Sequence, residues 1–170
     1  MLTASRALLG VAARSLATVD EDVTLPQYRA VVVLAQHGPR RPADLAAALA
    51  VTPSTATRMC DRLVIKGLVV RDRSGADRRS VSVSLSPSGW DLVREVTRHR
   101  RGELANLLEA MPAHDRQAVV TGLRAFSEAA GEVTEADWAV AAAPLRPPEG
   151  PASSTITPPR RSRDVAEKPW

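Results

Sequence analysis

The 170-residue sequence predicts a mainly α fold carrying one small β element, an α+β arrangement. Apolar residues up to about position 130 recur at the 3.6-residue period of amphipathic helices. That period changes to two only once, across residues 68–85. From Pro144 onward the aliphatic residues that could build a core almost vanish. A hydrophobic fraction of 44% with 25% charged residues suits one soluble globular unit, and no run of eighteen apolar residues offers a membrane span.

The first nineteen residues hold Arg6 and Arg14 but no acid, and Leu2, Leu9, Ala12, Ala13 and Leu16 fall at helical spacing, which predicts an amphipathic helix. Arg14 cuts the apolar stretch too soon for a secretory signal. The acid-free, Arg-bearing composition also suits an organellar presequence, whose mark would be a mature terminus between Ser15 and Asp20. Thr24 can cap a second helix with Leu25, Tyr28, Val32 and Ala35 on one face, ended by Gly38-Pro39. Pro42 opens a short third helix through Leu45, Ala46 and Leu49. At Ala50-Val51-Thr52-Pro53 the pattern breaks and restarts, with Thr52 as cap, Pro53 as first residue of a fourth helix and Gly67 as its stop after Lys66. Two short helices therefore meet at a sharp corner.

Leu68-Val69-Val70 then runs into Arg71-Asp72-Arg73 and a turn-rich Ser74-Gly75-Ala76-Asp77. Val81, Val83 and Leu85 alternate with Ser80, Ser82 and Ser84, the pattern of a charged β-hairpin. Ser86 and Pro87 begin a long helix with apolar positions Trp90, Val93, Val96, Leu104, Leu107, Leu108 and Met111, around a polar gap from Arg98 to Arg101. Pro112 breaks it. Val119, Val120, Leu123, Phe126 and Ala130 define a last helix, expected to continue weakly to about Ala143. Seven of the thirteen prolines lie in the last 27 residues, so residues 144–170 are expected to form a disordered tail. No internal repeat is present.

Charge is concentrated. Residues 50–80 hold seven basic side chains (Arg58, Arg62, Lys66, Arg71, Arg73, Arg78, Arg79) against three acidic ones (Asp61, Asp72, Asp77), which equals the whole net charge of +4. A local basic patch implies an anionic partner. Enzyme chemistry finds little support: there is no glycine-rich phosphate loop, no His-Glu-x-x-His and no Gly-x-Ser-x-Gly. Cys60 is the only cysteine, which fits a reducing cytoplasm and excludes zinc sites built on paired thiolates. His37, His99 and His114 lie far apart, so neither a metal nor another cofactor is expected.

Helix, tight turn, helix and basic hairpin make a winged helix-turn-helix. On the helix from Pro53 to Lys66, Ala56, Met59, Cys60 and Leu63 form the inward stripe, leaving Ser54, Thr55, Thr57, Arg58, Asp61 and Arg62 outward. Hydroxyls and Arg58 suit base edges in a major groove, and Arg62, one turn later, suits a phosphate. Arg73, Arg78 and Arg79 flank a loop fit for a minor groove, with Asp77 placed to orient one of them.

At these residues the sequence resembles the MarR family of bacterial transcription regulators. Pro53-Ser54-Thr55-Ala56-Thr57-Arg58-Met59-Cys60-Asp61-Arg62-Leu63 with Lys66-Gly67-Leu68-Val69 is similar to that family's recognition helix and its exit into the wing. Asp77-Arg78-Arg79, the alternating Val81, Val83 and Leu85, and Ser86-Pro87-Ser88-Gly89 are similar to its wing and the start of its long helix. The resemblance covers about residues 5–135, most specifically 44–89. It implies a homodimer whose N-terminal and last helices interlock, with recognition helices in successive major grooves of a pseudo-palindrome. It further implies a cytoplasmic bacterial repressor released from double-stranded DNA when a small aromatic or lipophilic effector enters the cleft between dimer helices and DNA-binding lobe. The implied organisation is an N-terminal dimerisation helix (1–22), a winged lobe (23–86), C-terminal dimerisation helices (87–143) and a Pro-rich tail (144–170).

Two features depart from the family pattern: Ser74-Gly75-Ala76 replaces its usual acidic and proline residues, and Trp90 stands where a small or charged residue is common. Tyr28, His37 and Trp90 are the candidate effector contacts, although Tyr28 and Trp90 more often fill a core than bind a ligand and His37 beside Gly38 reads more simply as solvated. Cys60, on the inward stripe and expected to lack a cationic neighbour, reads as a packing residue. The alternative function, a winged-helix module acting through protein contacts alone, fits poorly with the retained Arg58, Arg62, Arg78 and Arg79.

Overall fold

A computed structural model describes residues 2–72 and 81–133. The expected elements appear in the expected order: α1 (Leu2–Ala17), α2 (Leu25–His37), α3 (Pro42–Ala48), α4 (Pro53–Ile65), β1 (Val69–Asp72), β2 (Ser82–Leu85), α5 (Pro87–Glu109) and α6 (Ala113–Ala129). The tail and the expected continuation of the last helix through residues 134–143 lie outside the described residues. α6 itself stops at Ala129, with Ala130 as C-cap and Gly131 at φ 71°, so the helix ends well before Ala143.

Local chemistry accounts for the helix starts. Thr24 accepts from the Gln27 N–H while the Gln27 side chain accepts from the Thr24 N–H, a complete capping box. Thr52 caps α4 by accepting from the Thr55 N–H, and Ser86 caps α5 by accepting from the Gly89 N–H. All three helices have proline in the first turn, where a missing N–H costs nothing. The corner between α3 and α4 turns through Ala50 at φ 53°, the one non-glycine residue in the left-handed region among those described.

β1 and β2 pair antiparallel, with Val69 opposite Leu85 and Arg71 opposite Val83. Val83 also exchanges both backbone hydrogen bonds with Arg40 across an isolated bridge, so the loop before α3 acts as a minimal third strand. The Ser86 hydroxyl donates to the Gly67 carbonyl at 2.5 Å, fastening the exit of α4 to the start of α5.

One core runs through the described residues, from Leu16 of α1 through Val31, Leu34, Leu45, Cys60, Leu63, Val69 and Val83 to Val93 and Val96 of α5. Leu16, placed by its spacing on one face with Leu2 and Leu9, parts from them: α1 turns Val11, Ser15 and Leu16 into this core while Leu2 and Leu9 stay exposed. Ser15 and Arg14 both reach Glu103 of α5, the arginine at 2.7 Å, which staples α1 to α5. No helix among the described residues is long and apolar enough to cross a membrane.

Candidate nucleic-acid interface

α4 turns Ala56, Cys60 and Leu63 fully into the core and Met59 partly, as the spacing predicts. The opposite face carries Ser54, Thr57, Arg58 and Arg62 exposed and Thr55 half-exposed. Its first turn is tied together by hydroxyls: Thr52 Oγ1 lies 3.1 Å from Ser54 Oγ and 2.9 Å from Thr55 Oγ1. The Thr57 hydroxyl donates to the Pro53 carbonyl at 2.9 Å, which leaves it free to accept a hydrogen bond from a base amino group.

Among the described residues, the side chains of Arg58 and Arg62 find no hydrogen-bond or ion-pair partner. Asp61, on the same helix, is ion-paired with Arg71 of β1. That contact offsets the charge of the helix's own carboxylate, which would otherwise repel a phosphate beside Arg58 and Arg62, and it braces α4 against the base of the hairpin. Sequence spacing alone could not reveal the pairing, since it crosses from helix to strand.

Beside α4 lies a groove of about 380 Å³ lined by Thr24, Pro26, Gln27, Thr55, Arg58, Met59 and Arg62. The N-terminal end of α2 therefore forms one wall of this groove, with its positive dipole end and its capping box beside Arg58 and Arg62. Sequence reasoning placed Thr24 only as a cap; its proximity to Arg58 is tertiary. Arg73, Asp77, Arg78 and Arg79 of the predicted wing contact lie outside the described residues.

The three candidate effector contacts are dispersed. Tyr28 is buried under the Arg100 guanidinium, 5.7 Å from the ring centroid, and burial pushes its hydroxyl pKa up against the opposing pull of Arg100 and a hydrogen bond with Thr97. His37 is exposed at the other end of α2, roughly 13 Å further along at 1.5 Å per residue. Trp90 is half-buried against the core. The run from Arg98 to Arg101, expected to be a plain polar face, divides: Arg98 pairs with Glu95 at 2.5 Å, whereas Arg100 turns inward over Tyr28.

Cys60 needs one correction. It has a cationic neighbour, Arg71, but burial raises the thiol pKa more than Arg71 lowers it, and Asp61 opposes Arg71 further. The thiol stays protonated and serves as packing.

A capped recognition helix with a hydroxyl-and-arginine face, standing on a helix corner and followed by a two-stranded hairpin, defines a winged helix-turn-helix DNA-binding protein. The sequence signature of the MarR family matches residues 23–81. The uncharacterised HTH-type transcriptional regulator YfiV of Bacillus subtilis is 32% identical over 108 residues, which span 64% of this chain and 68% of that protein. The HTH-type transcriptional repressor MdtR of the same organism is 33% identical over 52% of this chain and 57% of its own. The crystal structure of RV1404 from Mycobacterium tuberculosis superposes with a TM-score of 0.76 at 46% identity, covering 79% of this chain and 91% of that one. The chain belongs to the MarR family of DNA-binding transcriptional regulators and is not an enzyme.

Proposed function

We propose that this chain is a cytoplasmic homodimeric repressor which holds a pseudo-palindromic operator and releases it when a small aromatic or lipophilic effector binds. The observation that carries the DNA-binding half of this reading is the pair of arginines on α4, Arg58 and Arg62, whose side chains have no partner among the described residues. Buried or paired arginines would have other work; these two stand a turn apart on an exposed face with threonine hydroxyls between them and the capped helix start. Ser54, Thr55, Thr57 and Arg58 read base edges, Arg62 holds a phosphate, and Arg73, Arg78 and Arg79, with Asp77 orienting, supply the wing contact. Repression is supported by the relative named a repressor, and effector release by the family resemblance; Tyr28, His37 and Trp90 remain the proposed effector contacts.

Titrations of the two arginine variants on operator and scrambled duplex test the assignment. Arg58→Ala is expected to cost about 1–3 kcal/mol on the operator and to flatten discrimination, whereas Arg62→Ala weakens both duplexes alike. Equal losses on both duplexes for Arg58→Ala would refute the base contact.

A further inference from the structure

Just past α6 the chain turns back onto the DNA-binding lobe. Glu132 follows Gly131 and meets α2: Arg29 Nη2 donates to Oε1 at 2.7 Å, Arg29 Nη1 to Oε2 at 3.4 Å, and Gln36 Nε2 to Oε2 at 3.2 Å. Arg29 and Gln36 are two turns apart and share one face of α2. Gln36 is a buried side chain, and a buried amide requires its acceptor. α6, by contrast, buries none of its side chains.

Within its own chain the helix is therefore fastened at its ends. At its start Arg116 donates to the carbonyls of Met111 at 3.0 Å and Glu109 at 2.9 Å, closing the corner with α5. At its finish Glu132 fastens it to α2. The other end of α2 brings Thr24, Pro26 and Gln27 against Arg58 and Arg62 of the recognition helix. α2 is thus a rod with the clasp along one part and the recognition helix at the other.

We propose that Glu132 is a positioning residue: its clasp with Arg29 and Gln36 holds the lobe at a fixed attitude to α6, and so sets the separation at which the two recognition helices of a dimer meet DNA. The inference rests on the dimeric reading above. Sequence periodicity could not suggest it, because the partners are 103 and 96 residues apart.

The test uses an operator selected from random duplexes by the wild-type protein, together with the same duplex lengthened or shortened by one base pair between half-sites. Wild type should bind the altered spacings at least about tenfold more weakly, as two rigidly spaced helices require. Glu132→Ala should lose about fivefold on the native spacing and narrow the penalty for the altered ones to about threefold or less. Its salt slope should not change, since Glu132 touches no phosphate, and its dimer mass should stay that of wild type. The charge-exchanged variant carrying Arg29→Glu and Glu132→Arg should recover most of the spacing preference. Glu132→Ala with wild-type discrimination would overturn the proposal, as would a single variant that simply becomes monomeric, which would assign the clasp to assembly. A wild-type protein that is monomeric, or indifferent to spacing, would bring down the dimeric reading before any variant is compared, and the proposal with it.

Discussion

Arg14, Arg29, Arg71, Arg94 and Arg98 each have a carboxylate, whereas Arg58 and Arg62 have none among the described residues. Position on the outward face of α4 was legible from the spacing of Ala56, Cys60 and Leu63. Freedom from pairing was not, because it depends on Arg71 of a later strand capturing Asp61. The same holds for Glu132, whose carboxyl is held below the ordinary glutamate value of 4.5 by the Arg29 hydrogen bond first and by Gln36 and the nearby His37 as well. A depressed carboxyl contributes stability that is present above its unfolded value and lost as pH falls through the folded one. Glu132→Gln should therefore melt below wild type near neutral pH, and the two curves should converge once pH falls well under 4.5. With 40–48% of both side chains exposed, the neutral-pH gap should be small, about 2 °C. A gap that widened toward acid pH would contradict this sign.

At the scale of elements, the helix starts were the most legible part of the fold, because each is written locally: Thr24, Thr52 and Ser86 cap, and a proline follows within two residues. Gly89 belongs to a different class. In the sequence it completes a Ser-Pro-Ser-Gly start signal; in the structure a Cβ there would stand 2.2 Å from the Leu68 carbonyl oxygen and 3.3 Å from a Leu85 methyl. Since the obstacle is backbone, the neighbour cannot swing aside. Gly89→Ala should lower the urea midpoint by an amount equivalent to about 1–3 kcal/mol with the slope of unfolding unchanged. An unchanged midpoint would mean that α5 can lift off the hairpin at little cost. The end of α6 was misjudged for the converse reason: weak apolar periodicity beyond Ala130 carried the expected helix past the left-handed turn at Gly131. Likewise the α3–α4 corner was evident from its breakers, but not that Ala50 would take positive φ there.

For the whole molecule, the exposed large apolar residues fall in two groups: Val64, Ile65 and Val70 at the end of α4 and on β1, and a larger set of Leu2, Leu8 and Leu9 on α1, Leu107 on α5, and Val120, Leu123 and Phe126 on α6. The second group, on the first and last helices, exceeds what scattered surface hydrophobes explain, and a second copy is the occupant that the family resemblance implies for it. Sedimentation should give a particle of about 36 kDa, twice the chain mass of 18.2 kDa, at low micromolar concentration. Phe126→Glu, placing a charge on that face, should shift it toward monomer and weaken operator binding together; weakened dimers with full operator affinity would separate assembly from function. The central claim is that two copies of α4 read two half-sites of one operator. The most direct test is selection of bound duplexes from a random pool by the full chain, followed by sequencing. The enriched DNA should be an inverted repeat with half-site centres about 10–10.5 base pairs apart, one turn of the duplex. Enrichment of a single unsymmetrical motif, or of no motif at all, would contradict it.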